Sequence, residues 1–245
     1  MRRFHFPLIL IVLACGCTAL PQIKRPSAES KSRPASSESA ISQLGVALPA
    51  MKPGDDRELK LIAAEQMAQH GYWTEAIDLY LEAESMAPKK PKLNTQLAPA
   101  LAAAARYPES LQRYRALMRD DPKNVKLINN FAFTLQESGD LIGAEAEFRK
   151  ALAIDPSFEN AAVNLGLILA RQRRYDEALQ VLSPTIGEAA ARHNLGVVAL
   201  DCGDEETAKF QFSQASSMPG ASKMSQEFIA AMYRRDINAI PASMN

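Results

Sequence analysis

Three sets of side chains in this sequence could do chemistry. Cys15 and Cys17 close an N-terminal run, MRRFHFPLILIVLACGC. A thiol is the best nucleophile among neutral side chains, so this pair is a natural point for covalent modification. Gln96, Asn130, Asn164 and Asn194 form a second set, spaced 34, 34 and 30 residues apart. An amide offers both a donor and an acceptor. It can therefore pair with the backbone of an extended peptide without reading its side chains. His193 sits beside the last of these amides and is a candidate contact on the same surface.

The third set is weaker. Asp120 and Asp121, and Asp201, Asp204, Glu205 and Glu206, are spaced for helix ends and solvated turns, where acids cap N-termini. Arg171, Arg173 and Arg174 are expected to complement a helix C-terminus. Cys202 is expected to be a small buried or half-buried thiol. The three histidines, His5, His70 and His193, are too scattered for a histidine-built metal site. The sequence contains no P-loop, GxGxxG, GxSxG or HExxH motif. It is therefore expected to hold no catalytic centre, no metal and no cofactor.

Composition narrows the elements that must position these residues. In 245 residues, Lys+Arg and Asp+Glu balance at 28 each, so nothing in net charge calls for nucleic acid. Aromatics are 7% and Gly is 11 residues, while Ala recurs throughout. That disfavours a sandwich or barrel of aromatic and β-branched strands and favours helices.

Organisation along the chain is equally plain. Residues 1–17 combine Arg2 and Arg3 with a short apolar stretch, too short for the roughly 20 residues of a membrane span. Residues 18–54 hold seven Ser, five Pro and no aromatic residue. They read as a disordered tether with an r.m.s. span of roughly 35 Å. Beyond it the sequence repeats. Pro88, Pro122 and Pro156 are 34 residues apart. Twelve residues before each stand the small Ala76, Ser110 and Ala144, eight before each the aromatic Tyr80, Tyr114 and Phe148, and seventeen before each Gly71, Ala105 and Gly139. Leu165-Gly166 with Tyr175 and Ala178, and Leu195-Gly196 with Gly203, Ala208 and Phe212, continue the pattern. Pro184 predicts a second helix shortened by about a turn in the fourth block, and Pro99 predicts a kinked or delayed first helix in the second.

These blocks resemble the tetratricopeptide repeat, a helix–turn–helix unit of 34 residues. The resemblance implies an all-α, right-handed superhelical solenoid of about five repeats, 57–90, 91–124, 125–158, 159–188 and 189–221, plus a capping helix over 222–237 and a frayed tail at 238–245. In the family, helix A of each repeat lines the concave face. Gln96, Asn130, Asn164, Asn194 and His193 then become the expected peptide groove, and the expected partner is a protein or extended peptide. The capping helix should carry Met224, Phe228, Ala231 and Met232 on one face.

The N-terminus resembles the lipobox of bacterial lipoproteins, with Cys17 preferred to Cys15 because Gly16 precedes it. Gly16 or Thr18, not Asp, follows the candidate cysteine. By that resemblance the expected location is the outer membrane, lipid-anchored and facing the periplasm. The order of signal, tether and repeats looks like that of Tad-pilus assembly and pilotin lipoproteins. A generic repeat scaffold in envelope biogenesis is the second reading, and an accessory module of an envelope enzyme the third.

Overall fold

The computed structural model describes residues 56–219, 223, 225–230 and 232. Regular structure among these residues is helical, with no strand. Ten helices follow one another in pairs: α1 (Asp56–Gln69) and α2 (Trp73–Ser85), α3 (Asn94–Ala103) and α4 (Tyr107–Asp120), α5 (Val125–Glu137) and α6 (Leu141–Ile154), α7 (Glu159–Arg171) and α8 (Tyr175–Ile186), α9 (Glu188–Asp201) and α10 (Glu205–Ser217). Further helical residues lie within 223–232. Residues 1–17, 18–54 and 238–245, with Met224 and Ala231, for which the sequence raises expectations, lie outside the described residues.

One local device makes every pair. Helix A ends with a residue in the left-handed region: Gly71, Ala105, Gly139, Arg173 and Gly203, at φ of 79°, 59°, 94°, 61° and 74°. The following amide then reaches back to the last turn. Tyr72 N–H donates to Met67 O, Arg106 to Leu101, Asp140 to Leu135, Arg174 to Leu169 and Asp204 to Ala199, all at 2.8–2.9 Å. This is the Schellman closure, which satisfies carbonyls that a helix end otherwise leaves open. The chain reverses in three residues, and helix B starts at once.

The start of helix B differs with the turn residue. After Gly139 and Gly203 stand Asp140 and Asp204, whose carboxylates accept from Gly143 and Thr207 N–H. After the non-glycine Ala105 and Arg173 stand Arg106 and Arg174, each gripping a glutamate three residues on, Glu109 and Glu177, at 2.7–2.8 Å.

Among the described residues, those up to Ala144 and those from Glu145 onward form two compact units. In the first, Ala64, Ala76, Ile77, Leu97 and Tyr80 are buried in one apolar cluster. Small residues let helices approach: the Ser110 hydroxyl, fully buried, donates to Ala98 O at 2.7 Å across α3 and α4. In the second unit, Gly166 faces Leu182 and Gly196 faces Phe212 so closely that a Cβ on either glycine would lie within 2.5–2.8 Å of the opposing side chain. Ala178 and Ala208 are likewise fully buried. The C-terminal helical residues cover the end of this core. Phe228 stacks on Phe212 with ring centroids 5.0 Å apart, and Met232 joins the cluster.

Of two expectations about proline, one needs adjustment. Pro184 lies inside α8, yet the helix runs on to Ile186. The missing N–H and the crowded carbonyl one turn back do not end the helix there. Most of the shortening of that block falls instead on the connection, reduced to Gly187 at φ 82°. Pro99 lies inside α3, which begins only at Asn94 and has 10 residues, so the first helix of that pair is delayed.

Ala105 occupies the left-handed position without the freedom of glycine. Each such residue costs about 1–2 kcal/mol relative to the right-handed region, offset in part by the greater unfolded-state entropy of glycine. Ala105→Gly is therefore expected to stabilise the chain by about 0.5–1 kcal/mol. Urea unfolding checks this, as a higher midpoint with an unchanged slope.

Candidate interaction surface

The repeated turn aligns the helix-A residues of each unit. In the first unit, Gln96 on α3 is exposed and Asn130 on α5 is half-buried. The Asn130 carbonyl group of the side chain accepts from Asn129 Nδ2 at 3.3 Å. In the second unit, Asn164 on α7 and Asn194 on α9 are half-buried, and α7 packs on α9. Each amide stands two residues before a small buried residue, Ala98, Ala132, Gly166 or Gly196, and Ala98, Gly166 and Gly196 meet helix B. That spacing turns the amide away from the A–B contact.

His193 is placed differently from its expected role as a groove contact. It is 6% exposed, its Nδ1 lies 2.8 Å from Ser225 Oγ, and its ring packs against Phe212 and Phe228 at 5.5 and 6.0 Å. The imidazole is a fastening point between α9 and the C-terminal helical residues. Sequence reasoning missed Ser225, although a hydroxyl three residues before Phe228, on the same face, is the signal that a polar group waits beneath it.

The arginines at the end of α7 do more than complement a dipole. Arg174 bridges Glu145 at 2.8 Å and Glu177 at 2.7 Å, and Arg149 adds contacts to both acids. Paired this way, Glu177 and Glu145 are held below the ordinary carboxylate range, chiefly by hydrogen bonds from Arg174. Arg173 lies 3.6 Å from Asp204, whose carboxylate also accepts from Tyr175 at 3.2 Å. Among the described residues no group of His, Cys, Asp and Glu could hold a metal ion. Asp204 is a cap, and Asp121 accepts from Asn124 Nδ2 at 3.0 Å in a turn. Cys202 is the half-buried C-cap of α9.

Glu84 was not singled out by the sequence, because an acid near the end of an amphipathic helix usually points to water. Here it is 9% exposed. It accepts from Leu93 N–H at 2.9 Å and from Arg113 at 2.9 and 3.2 Å, and so ties α2 to the start of α3 and to α4. Burial alone would raise its pKa, but the bonds from Arg113 and Leu93 and the charges of Arg113 and Lys92 together lower it.

Comparison with known proteins follows this geometry. Residues 135–191 match the sequence family described as tetratricopeptide repeat. A tetratricopeptide repeat protein from Parabacteroides merdae ATCC 43184 superposes with a TM-score of 0.56 at 19% identity, over 74% of this chain and 73% of that one. The fold is that of tetratricopeptide-repeat proteins. MamA (41-end) from Desulfovibrio magneticus RS-1 gives 0.52 at 19% identity, over 66% of this chain and 94% of its own. A second MamA structure gives 0.51 at 15% identity, over 67% and 92%. No curated protein sequence matches the chain. At these identities the likeness is one of fold.

His193 supplies a pH test of the repeat's capped end. Burial lowers its pKa from the ordinary 6.5. The unfolded chain therefore binds the proton first, and stability falls as pH drops below 6.5 toward the folded value, by up to about 1.4 kcal/mol per pH unit. Above 6.5 the contribution is fully present. Urea midpoints at about pH 7.5 and about pH 5.5 should fall further for the wild-type chain than for His193→Gln. Equal falls would mean that the imidazole is not desolvated in the fold.

Proposed function

We propose that this chain is a non-enzymatic scaffold that binds a partner protein or extended peptide through helix-A amides and is held at the bacterial envelope by an N-terminal lipid. The tetratricopeptide-repeat fold supports a protein-interaction scaffold. The observation that carries the finer reading is the recurrence of an amide at the same place on helix A, Gln96 and Asn130 in one unit and Asn164 and Asn194 in the other. Amides lend a peptide backbone both donors and acceptors while leaving its side chains unread. The anchor rests on the sequence Leu13-Ala14-Cys15-Gly16-Cys17 after an apolar run. Each buried methylene of an acyl chain contributes about 0.8 kcal/mol, and two or more chains hold a protein stably. Seen together, signal, tether and repeats favour a role in pilus or secretin assembly, where a lipoprotein escorts its partner to the outer membrane.

Two measurements test the two halves separately. A net hydrogen bond contributes about 0.5–1.5 kcal/mol, so Asn164→Ala with Asn194→Ala should weaken a partner recovered from detergent-solubilised envelope by roughly fivefold to a hundredfold. Folding should hardly change, and the loss should depend little on salt, because neutral amides carry the contact. Full affinity in that variant would move binding away from helix A. Cys15→Ser with Cys17→Ser should abolish fatty-acid labelling and membrane retention, and retained labelling would remove the anchor.

A further inference from the structure

The chain is electrically neutral as a whole, yet its charge is uneven. Between Ser85 and Arg119 lie Lys89, Lys90, Lys92, Arg106, Arg113, Arg115 and Arg119 against the single acid Glu109, which pairs with Arg106. Several of these cations surround a cleft of about 320 Å³ in the first unit, lined by Glu84, Lys92, Asn94, Gln112, Arg113 and Arg119. The lining comes from the end of α2, the connection to α3 and the flank of α4. It includes neither Gln96 nor Asn130.

The donors in this cleft outnumber the acceptors. The only carboxylate, Glu84, is already committed to Leu93 N–H and to Arg113. Arg113 also donates to Asn94 Oδ1 at 3.1 Å, so the wall is held in place before any ligand arrives. Lys92 reaches Glu84 only at 3.8 Å with 60% of its side chain exposed. No acid among the described residues pairs with Lys89, Lys90 or Arg119. Two or more cations, with the amides of Asn94 and Gln112, thus face a space large enough for one or two side chains. An ionised carboxylate accepts and never donates, which is what this wall needs.

The two terminal segments of the chain do not supply that carboxylate in quantity. Residues 1–55 hold seven Lys and Arg against three acids, and residues 233–245 hold two against one. We infer that the cleft between the α2–α3 connection and α4 docks an acidic segment, rich in Asp or Glu, of a partner protein. This surface is distinct from the helix-A amides, so its test and theirs can fail independently.

The test uses the full chain and a fluorescent peptide of about ten residues that alternates Glu with Gly, beside its Gln–Gly counterpart. The Glu peptide should bind at about 50 mM salt, weaken as salt rises to about 200 mM, and lose at least about tenfold in affinity in the Lys92→Gln, Arg119→Gln variant. Any binding of the Gln peptide should be independent of salt and unchanged in that variant, and Asn164→Ala with Asn194→Ala should leave the salt-dependent part of Glu-peptide binding unchanged. Both substituted cations are exposed, so an unaltered thermal melt is expected with the weakened binding. Undiminished binding in the variant, or no binding of the Glu peptide at low salt, would overturn the inference. So would binding to phosphatidylglycerol vesicles through Lys92 and Arg119 without peptide binding, or concentration-dependent self-association that the variant abolishes.

Discussion

The structure depends on how closely helix A can approach helix B. Where the helices cross in the second unit, Gly166 leaves space that Leu182 fills and Gly196 leaves space that Phe212 fills, each contact too tight for another methyl group. Protein interiors pack near crystal density, so such a contact accepts neither a larger neighbour nor a void. The left-handed turn sets the reversal, and the small–large contact sets the depth of packing. Together they determine which face of helix A is left for other molecules.

Charge then secures what packing has placed. Glu84 draws α3 and α4 to the end of α2, at the junction where the connection is long and α3 starts late. Arg174, Glu145, Arg149 and Glu177 form a network around the turn into α8. Such groups are worth more in a network than as isolated surface pairs.

The repeating parts were legible in the sequence because they follow from local rules. Pro88, Pro122 and Pro156 mark the period, and Gly71, Gly139 and Gly203 mark the turns. Ala76, Ser110 and Ala144 mark the close contacts, and all three are fully buried. Even Ala105 was found by register, though only the backbone shows that it adopts φ 59°. What stayed hidden depends on partners distant in sequence. His193 lies 32 residues from Ser225 and Glu84 29 residues from Arg113, and no periodicity announces either pair. Pro184 does not mark the shortened part of its block, because the helix continues to Ile186 and the connection, Gly187 alone, is what has lost residues.

The capped end gathers several of these contacts. Gly196, Phe212, Phe228 and His193 pack in one group, and the half-buried Asn194 lies on the same helix. A double-mutant cycle on Gly196→Ala and Phe212→Leu measures the contact directly, by urea unfolding of the two single variants, the double variant and the wild-type chain. If small and large residues are matched in volume, the smaller Phe212→Leu side chain should relieve the overpacking of Gly196→Ala. The double variant should then be less destabilised than the sum of the singles by at least about 1 kcal/mol. Additive losses would show that the two residues do not set the helix spacing, and would contradict the account.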